Sequence, residues 1–450
     1  MSKRSFKVGA AVVAASLGMA VVPAAIAPAS AASTTINYVL WDDRQQPAYQ
    51  KCADAFTKAN PDITVKITQM GWDDYWTAVN TELNSGSGKI DVFTDHLAFY
   101  KGFLDAGQIL DISGAVKAAG VDTKQYKPGL LDLWSKNGGI YGLPKDFDTI
   151  ALAYDSTFTR QHGVTDAQMK KLTWNPKNGG SYETILKKLT VDANGNNALS
   201  PKFDKNKVVT YALAAPDATS AWGQTDWSGL AFSNGFKFLD KNPWGSKYFY
   251  DSPKLAQVLA WYQKGILGGW IMDPRKTGNL GTTALWNAGK IVMATKGSWE
   301  ITDMLKVKDG NIKFVQQPAG PLGVKTMYNG LADSIVAKSK NQAAATKWVL
   351  FTGSTACQDI VADARVVFPA IDSSFTKAKA AFKAAGVDLT GFTDEAVASK
   401  TMIPPISDVG QKVGPIWGPV LQRIFYGQTK GLPAIQKALT SVNKKLNALF

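Results

Sequence analysis

Between Ile36 and Phe93 the hydrophobic period switches back and forth, and this constrains the fold more than any other feature. Ile36–Trp41 is a continuous apolar run fit for a buried strand. Tyr49, Cys52, Ala53 and Phe56 then recur at helical spacing, and Asn60-Pro61 stops that helix. Ile63–Ile67 alternates as a second strand. Trp72–Leu83 returns to helical spacing, with Asp73 and Asp74 in the first turn, where carboxylates suit the helix dipole. Ile90–Phe93 closes the series as a third strand. Parallel strands need a crossover, usually a helix, so strand–helix–strand–helix–strand predicts a parallel α/β sheet.

Ligands of such sheets gather at the carboxyl ends of the strands. Trp41-Asp42 and Asp95-His96 occupy two of those ends. Further on, Tyr141-Gly142 and Leu143-Pro144 signal turns, and Ile150–Tyr154 is an apolar run for another buried strand. Asp146 and Asp148 lie between. On extended backbone an i, i+2 pair faces one side. Two carboxylates entering a buried strand are misplaced unless something polar meets them; a solvated turn is the alternative.

The segment from Ala221 to Trp270 carries Trp222, Trp227, Trp244, Trp261 and Trp270. Around Trp222-Gly223-Gln224-Thr225-Asp226-Trp227, rings mix with amides and a carboxylate. That mixture suits a sugar: a ring covers the C–H face while polar groups take the hydroxyls. Core filling is the competing role, and it is the role expected for Trp261 within the helical segment Pro253–Lys264. Ile291–Ala294 is a strand followed by Gly297-Ser298-Trp299-Glu300. Met327–Asp333 leads into a strand at Ser334–Ala337. Ala343–Phe351 is helical, and the chain ends in a helix after Gly431-Leu432-Pro433.

The first residues include Lys3, Arg4 and Lys7, followed by an Ala/Val-rich run and the small-x-small site Ala29-Ser30-Ala31. This pattern predicts a secretory signal peptide over residues 1–31, and hence a periplasmic, extracellular or cell-envelope location. No cysteine stands at the cleavage site for lipid attachment. The net charge of +14 comes from scattered lysines without a basic stripe, which argues against nucleic-acid binding. The two cysteines, Cys52 and Cys357, in an oxidising compartment suggest one disulfide, with two buried thiols as the alternative. His96 and His162 are the only histidines and form no metal-binding helix motif, so no catalytic metal or cofactor is expected. Asp192-Ala193-Asn194-Gly195-Asn196, with Asp204 beyond, loosely resembles a calcium loop, although a β-turn explains it better.

Four segments together resemble the solute-binding proteins of bacterial carbohydrate ABC transporters, the family that includes the maltose-binding proteins. They are the opening strand with Asp42 and the following Ala53-Asp54-Ala55-Phe56…Asn60-Pro61-Asp62; Asp91-Val92-Phe93 with Asp105-Ala106-Gly107-Gln108; Tyr141-Gly142-Leu143-Pro144…Ala151-Leu152-Ala153-Tyr154-Asp155; and Trp286-Asn287-Ala288-Gly289-Lys290 leading to Gly297-Ser298-Trp299. The resemblance covers essentially the whole mature chain. It implies a type II periplasmic-binding-protein fold, two α/β lobes joined by hinge crossings around a ligand cleft. The N-lobe would take 32–147 and 301–370, and the C-lobe 148–300 and 371–450. Asp146 and Asp148 would lie at the first crossing, and Asn329 and Asp333 at the second. Trp41, Asp42, Asp95 and His96 would face the ligand from one lobe, and Trp222, Asp226, Trp227, Trp299 and Glu300 from the other. Cys52 and Cys357 would sit in helices of one lobe, which supports their pairing.

The implied function is capture of a sugar by a monomeric receptor that delivers it to membrane permease subunits, without catalysis. Two alternatives stand beside it. A secreted glycoside hydrolase would use two carboxylates flanking the scissile bond. A binding protein of the same fold would hold a cation such as a polyamine with Asp and Trp.

Overall fold

The computed structural model describes residues 33–278, 280–307 and 311–450; the expected signal peptide lies outside them. The chain runs β1 (Thr34–Leu40), α1 (Gln46–Ala59), β2 (Ile63–Gln69), α2 (Trp72–Ser85), β3 (Val92–Asp95) and α3 (Leu97–Asp105). Three short pieces follow: β4 (Leu143–Pro144), β5 (Asp146–Phe147) and the longer β6 (Ile150–Asp155). Then come β7 (Val191–Asp192), β8 (Val208–Leu213), α4 (Pro253–Gly268), β9 (Ile291–Gly297) and β10 (Ile312–Val315). The last part holds β11 (Ala332–Ile335), α5 (Thr355–Ala364), β12 (Phe368–Pro369), α6 (Asp372–Ala384), α7 (Val413–Phe425) and α8 (Leu432–Asn447).

Two five-stranded sheets result, ordered β2-β1-β3-β11-β4 and β10-β6-β9-β8-β7. In the first, β1 pairs in parallel with β2 and β3, as the alternating periods require. β11 then pairs antiparallel with β3 and with β4. In the second, β9 is parallel to β8 and antiparallel to β6. β6 is buried from Ile150 to Tyr154, which explains its unbroken apolar reading. Each sheet anchors one lobe.

The chain passes from the first sheet to the second through β5, and returns near Asn329, which bridges antiparallel to Asp148. Two expected boundaries move. Residues 301–370 do not all join the first lobe, because β10 pairs with β6 in the second sheet. Nor does 371–450 fall wholly in the second. α6 packs on the first lobe: Ser374 Oγ donates to Asp359 (2.6 Å), and Phe375 lies 5.2 Å from Phe368, ring to ring. The chain next rejoins the second lobe at Phe392, whose ring is 5.2 Å from Phe314. Both boundaries follow from packing partners far away in sequence, β6 for β10 and Phe147 for Phe375 (4.9 Å, ring to ring), which local periodicity does not encode.

The first lobe's core is built around aromatic edges. Tyr38 contacts Tyr49 and Trp348 at 6.2 and 5.6 Å, and Trp348 contacts Phe56 at 5.4 Å. Beside it Cys52 of α1 and Cys357 of α5 form a disulfide, with Cα atoms 5.2 Å apart and 305 residues between them in sequence. Such a link restrains the unfolded chain over a very long loop. Replacing both cysteines (Cys52→Ser with Cys357→Ser) is expected to lower unfolding free energy by about 2–5 kcal/mol. Guanidinium unfolding of wild type and double variant measures this; identical midpoints would show that the bond contributes nothing to stability.

Candidate functional site

A cleft of about 940 Å³ lies between the lobes. Its first-lobe wall starts where β1 ends. Trp41 and Asp42 project there, next to Trp72 and Trp76 on α2 and Phe99 on α3. The rings form a continuous patch: Trp41 to Trp72 is 5.1 Å, Trp41 to Trp76 is 5.8 Å, and Trp76 to Phe99 is 4.3 Å. Trp72 is still 39% exposed, so an apolar ring face is offered to whatever enters. From the second lobe Trp222 reaches across, 5.4 Å from His96 and 5.6 Å from Phe99. Gly410 brings the segment before α7 against α3; a Cβ there would stand 1.9 Å from the Ala98 carbonyl oxygen, so only glycine fits.

Asp146 and Asp148 enter on the crossing segment, and both line the cleft. Asp146 Oδ1 accepts the Leu331 N–H (3.0 Å), while its Oδ2 is buried with no partner. Asp148 accepts from the Gln224 amide of the second lobe (2.8 Å). Burial pushes both carboxyls up. Asp146 rises to about 6, and Asp148 rises well above its ordinary value, with the charge on Asp146 adding to the effect. Asp42, raised by burial, accepts the Arg44 N–H (2.8 Å) and the Gln45 amide (3.3 Å). The Arg44 side chain continues to Asp303, between β9 and β10, and so ties the lobes at the cleft edge.

His96 caps α3. Its Nδ1 accepts the Ala98 N–H (3.1 Å), and Asn329 meets its Nε2 at 3.0 Å. Burial holds the ring neutral, down to about 3. With Nδ1 accepting, the proton of the neutral ring sits on Nε2, against the Asn329 side-chain amide.

Of the residues expected at the ligand, Trp41, Asp42, His96, Asp146, Asp148, Trp222, Trp299 and Asn329 line the cleft. Five do not. Asp95 points to the other side of β3, where its oxygens take the His96 N–H and the Ser334 hydroxyl. Trp227 is fully buried in the second-lobe core against Phe238 and Trp417. Glu300 is bound by Lys296 (2.8 Å) and caps the Gly297 N–H. Asp226 lines a neighbouring chamber instead. Asp333 sits in the first sheet, paired with a buried Lys145 at 3.2 Å; Tyr38 and Thr94 hydroxyls donate to it, and Lys145 donates to both hydroxyl oxygens. Trp72, Trp76, Phe99 and Gln422 are cleft residues that sequence reasoning missed, while Gln224 belongs to the mixed aromatic and amide stretch that it singled out. The aromatic i, i+4 pair Trp72 and Trp76 was the available signal for two of them. The Asp192 loop is closed by hydrogen bonds: its carboxylate accepts from the Asn194, Asn196 and Asp204 N–H groups and the Asn196 amide, which occupies the lone pairs a calcium ion would need.

A family model for bacterial extracellular solute-binding proteins matches residues 51–389. The chain belongs to this family. Among curated relatives, an erythritol/L-threitol-binding protein of Mycolicibacterium smegmatis is 27% identical over 149 residues, 30% of this chain and 31% of that protein. The putative ABC transporter periplasmic-binding protein YcjN of Escherichia coli is 24% identical over 314 residues, 69% of this chain and 66% of that one. The chain thus spans less than two thirds of either relative's length. Among solved structures, the ABC substrate-binding protein Lmo0181 of Listeria monocytogenes, in complex with cycloalternan, superposes with a TM-score of 0.78 at 17% identity, covering 93% of this chain and 99% of that one. UgpB of Mycobacterium tuberculosis, in complex with glycerophosphocholine, gives 0.74 at 16%, covering 93% and 98%. The fold is the type II periplasmic-binding-protein fold, two lobes around a cleft.

The Lys145–Asp333 pair sits directly behind Asp146, so its removal tests what holds the crossing. Lys145→Met is expected to cost about 3–5 kcal/mol by leaving the Asp333 charge buried and unpaired, and Lys145→Met with Asp333→Leu to recover most of it. Chemical denaturation of the three proteins checks this; equal stability of wild type and single variant would refute the pairing argument.

Proposed function

We propose that this chain is the receptor of an ABC importer and captures a carbohydrate between its lobes for delivery to membrane permease subunits. The carrying observation is Asp146 Oδ2, a buried acceptor without a partner on the wall of a cleft lined with tryptophan. Asp146 would accept a sugar hydroxyl, Asp148 and Asn329 would add polar contacts to neighbouring hydroxyls, and Trp41, Trp72 and Trp222 would cover C–H faces. The erythritol/L-threitol-binding relative and the Listeria protein in complex with cycloalternan support the same reading. Hinge closure about the crossings would bury the ligand. The family consists of binding proteins, and the reading extends to this chain acting without catalysis, as a monomer, exported by its leader. No helix among the described residues is long and apolar enough to cross a membrane.

Titration calorimetry against mono- and oligosaccharides and polyamines, with the ligand recovered afterwards, tests the reading. One-to-one binding of an intact sugar is expected; cleaved product would favour a hydrolase. Asp146→Ala should weaken binding about ten- to a hundredfold. Asp146 is ionised above about pH 6, so affinity should hold near neutrality and fall as pH drops through that value, while Asp146→Asn should flatten the profile. The polyamines in the panel separate the cationic alternative: saturable binding of a polyamine with no heat from any sugar would overturn the carbohydrate assignment.

A further inference from the structure

The cleft does not end at Trp222. Asp217, Thr219, Thr225 and Gln422 stand on its wall and also on the wall of a second chamber of about 400 Å³ inside the second lobe. That chamber lies beyond the carboxyl end of β8, between β9, α4 and α7. Its floor is built and polar. Asp226 Oδ1 accepts the Asp217 N–H at 3.1 Å, which ties the shared loop to it, and Oδ2 is buried without a partner. The Tyr262 hydroxyl donates to the Asp226 carbonyl at 3.0 Å and fixes its backbone. Lys296, on the same wall, is occupied by Glu300. Thr282 and Thr295 add hydroxyls, and Ala214 and Pro216 add small apolar surface. Burial and the neighbouring Asp217 push the Asp226 carboxyl up to about 8, so at neutral pH it is a neutral acid that can both donate and accept.

We propose that this chamber is a second binding compartment that takes a terminal glycosyl or polyol unit of a ligand whose other units occupy the main cleft, with Asp226 as its hydrogen-bond partner. The proposal rests on the carbohydrate reading above. A compartment of hydroxyls, one neutral acid and small apolar side chains matches a hydroxylated unit. It joins the main cleft through four shared residues, so one chain of linked units can lie in both.

The test is calorimetry with malto-, cello- and xylo-oligosaccharides of one to five units, on wild type, Thr295→Phe and Asp226→Ala. Thr295→Phe fills the chamber from β9 without touching the main cleft. In wild type, affinity is expected to rise with length. Both variants should lose about ten- to a hundredfold for the longer members and leave the shortest binding member unchanged. Asp226→Asn, which keeps a donor and an acceptor, should retain most of the length dependence. Equal loss at every length would mark a structural role for Asp226, and an unchanged length profile in Thr295→Phe would mean the chamber stays empty; either overturns this inference while leaving the carbohydrate reading intact. Binding of no sugar at all overturns that reading and this inference with it.

Discussion

A lysine ammonium buried in the first lobe has to be met by a carboxylate and by hydroxyls, or the sheet around it does not hold. Lys145 meets Asp333, and Tyr38 and Thr94 complete the set. These four side chains come from β1, β3, β11 and the residue between β4 and β5. One polar cluster thus fixes the antiparallel insertion of β11 beside the parallel strands and the point where the chain leaves for the second lobe. The residue after Lys145 is Asp146, and the carbonyl two residues before Asp333 accepts the Lys145 N–H (2.9 Å). The carboxylates that line the cleft inherit their position from this cluster.

The cleft then works as a set of groups kept short of partners in a controlled way. Asp146 retains a free acceptor, and the Trp41–Trp72–Trp76 patch an exposed face. Groups nearby that could quench them are engaged elsewhere. Arg44 is held by Asp42 and Asp303, Lys296 by Glu300, and His96 is neutral and spends its two nitrogens on Ala98 and Asn329. Among the described residues, the cation left beside the two carboxylates is Lys145, which lies behind them and is held by Asp333.

Much of the first lobe was legible because its signals are local. The switches of period gave β1, α1, β2, α2 and β3 to within a few residues, and the i, i+2 spacing of Asp146 and Asp148 placed both carboxylates on the cleft. What failed depended on a partner far along the chain. Asp95 and Asp333 carry the right chemistry at strand ends, but the pleat and the Lys145 cluster turn them inward. Trp227 and Trp222 are alike in sequence setting, and only the packing of Phe238 and Trp417 decides that one fills a core. The helix holding Gln422 contains Gly414, Gly418 and two prolines, so its propensity hides it, and tertiary packing overrides that propensity. The lobe boundaries near β10 and α6 failed for the same reason.

The first sheet is also discontinuous in the chain. Thr94 and Asp333 touch across 239 residues, so during synthesis β1, β2 and β3 exist long before β11 does. Until then β3 is a bare edge, with its backbone donors and acceptors open to any other strand. Contacts of such high sequence separation form slowly, because the loop must close before they stabilise anything. A chain built this way is poorly suited to folding as it emerges. In the interval before β11 exists, the open edge of β3 can template pairing with another strand, a second copy of the chain included.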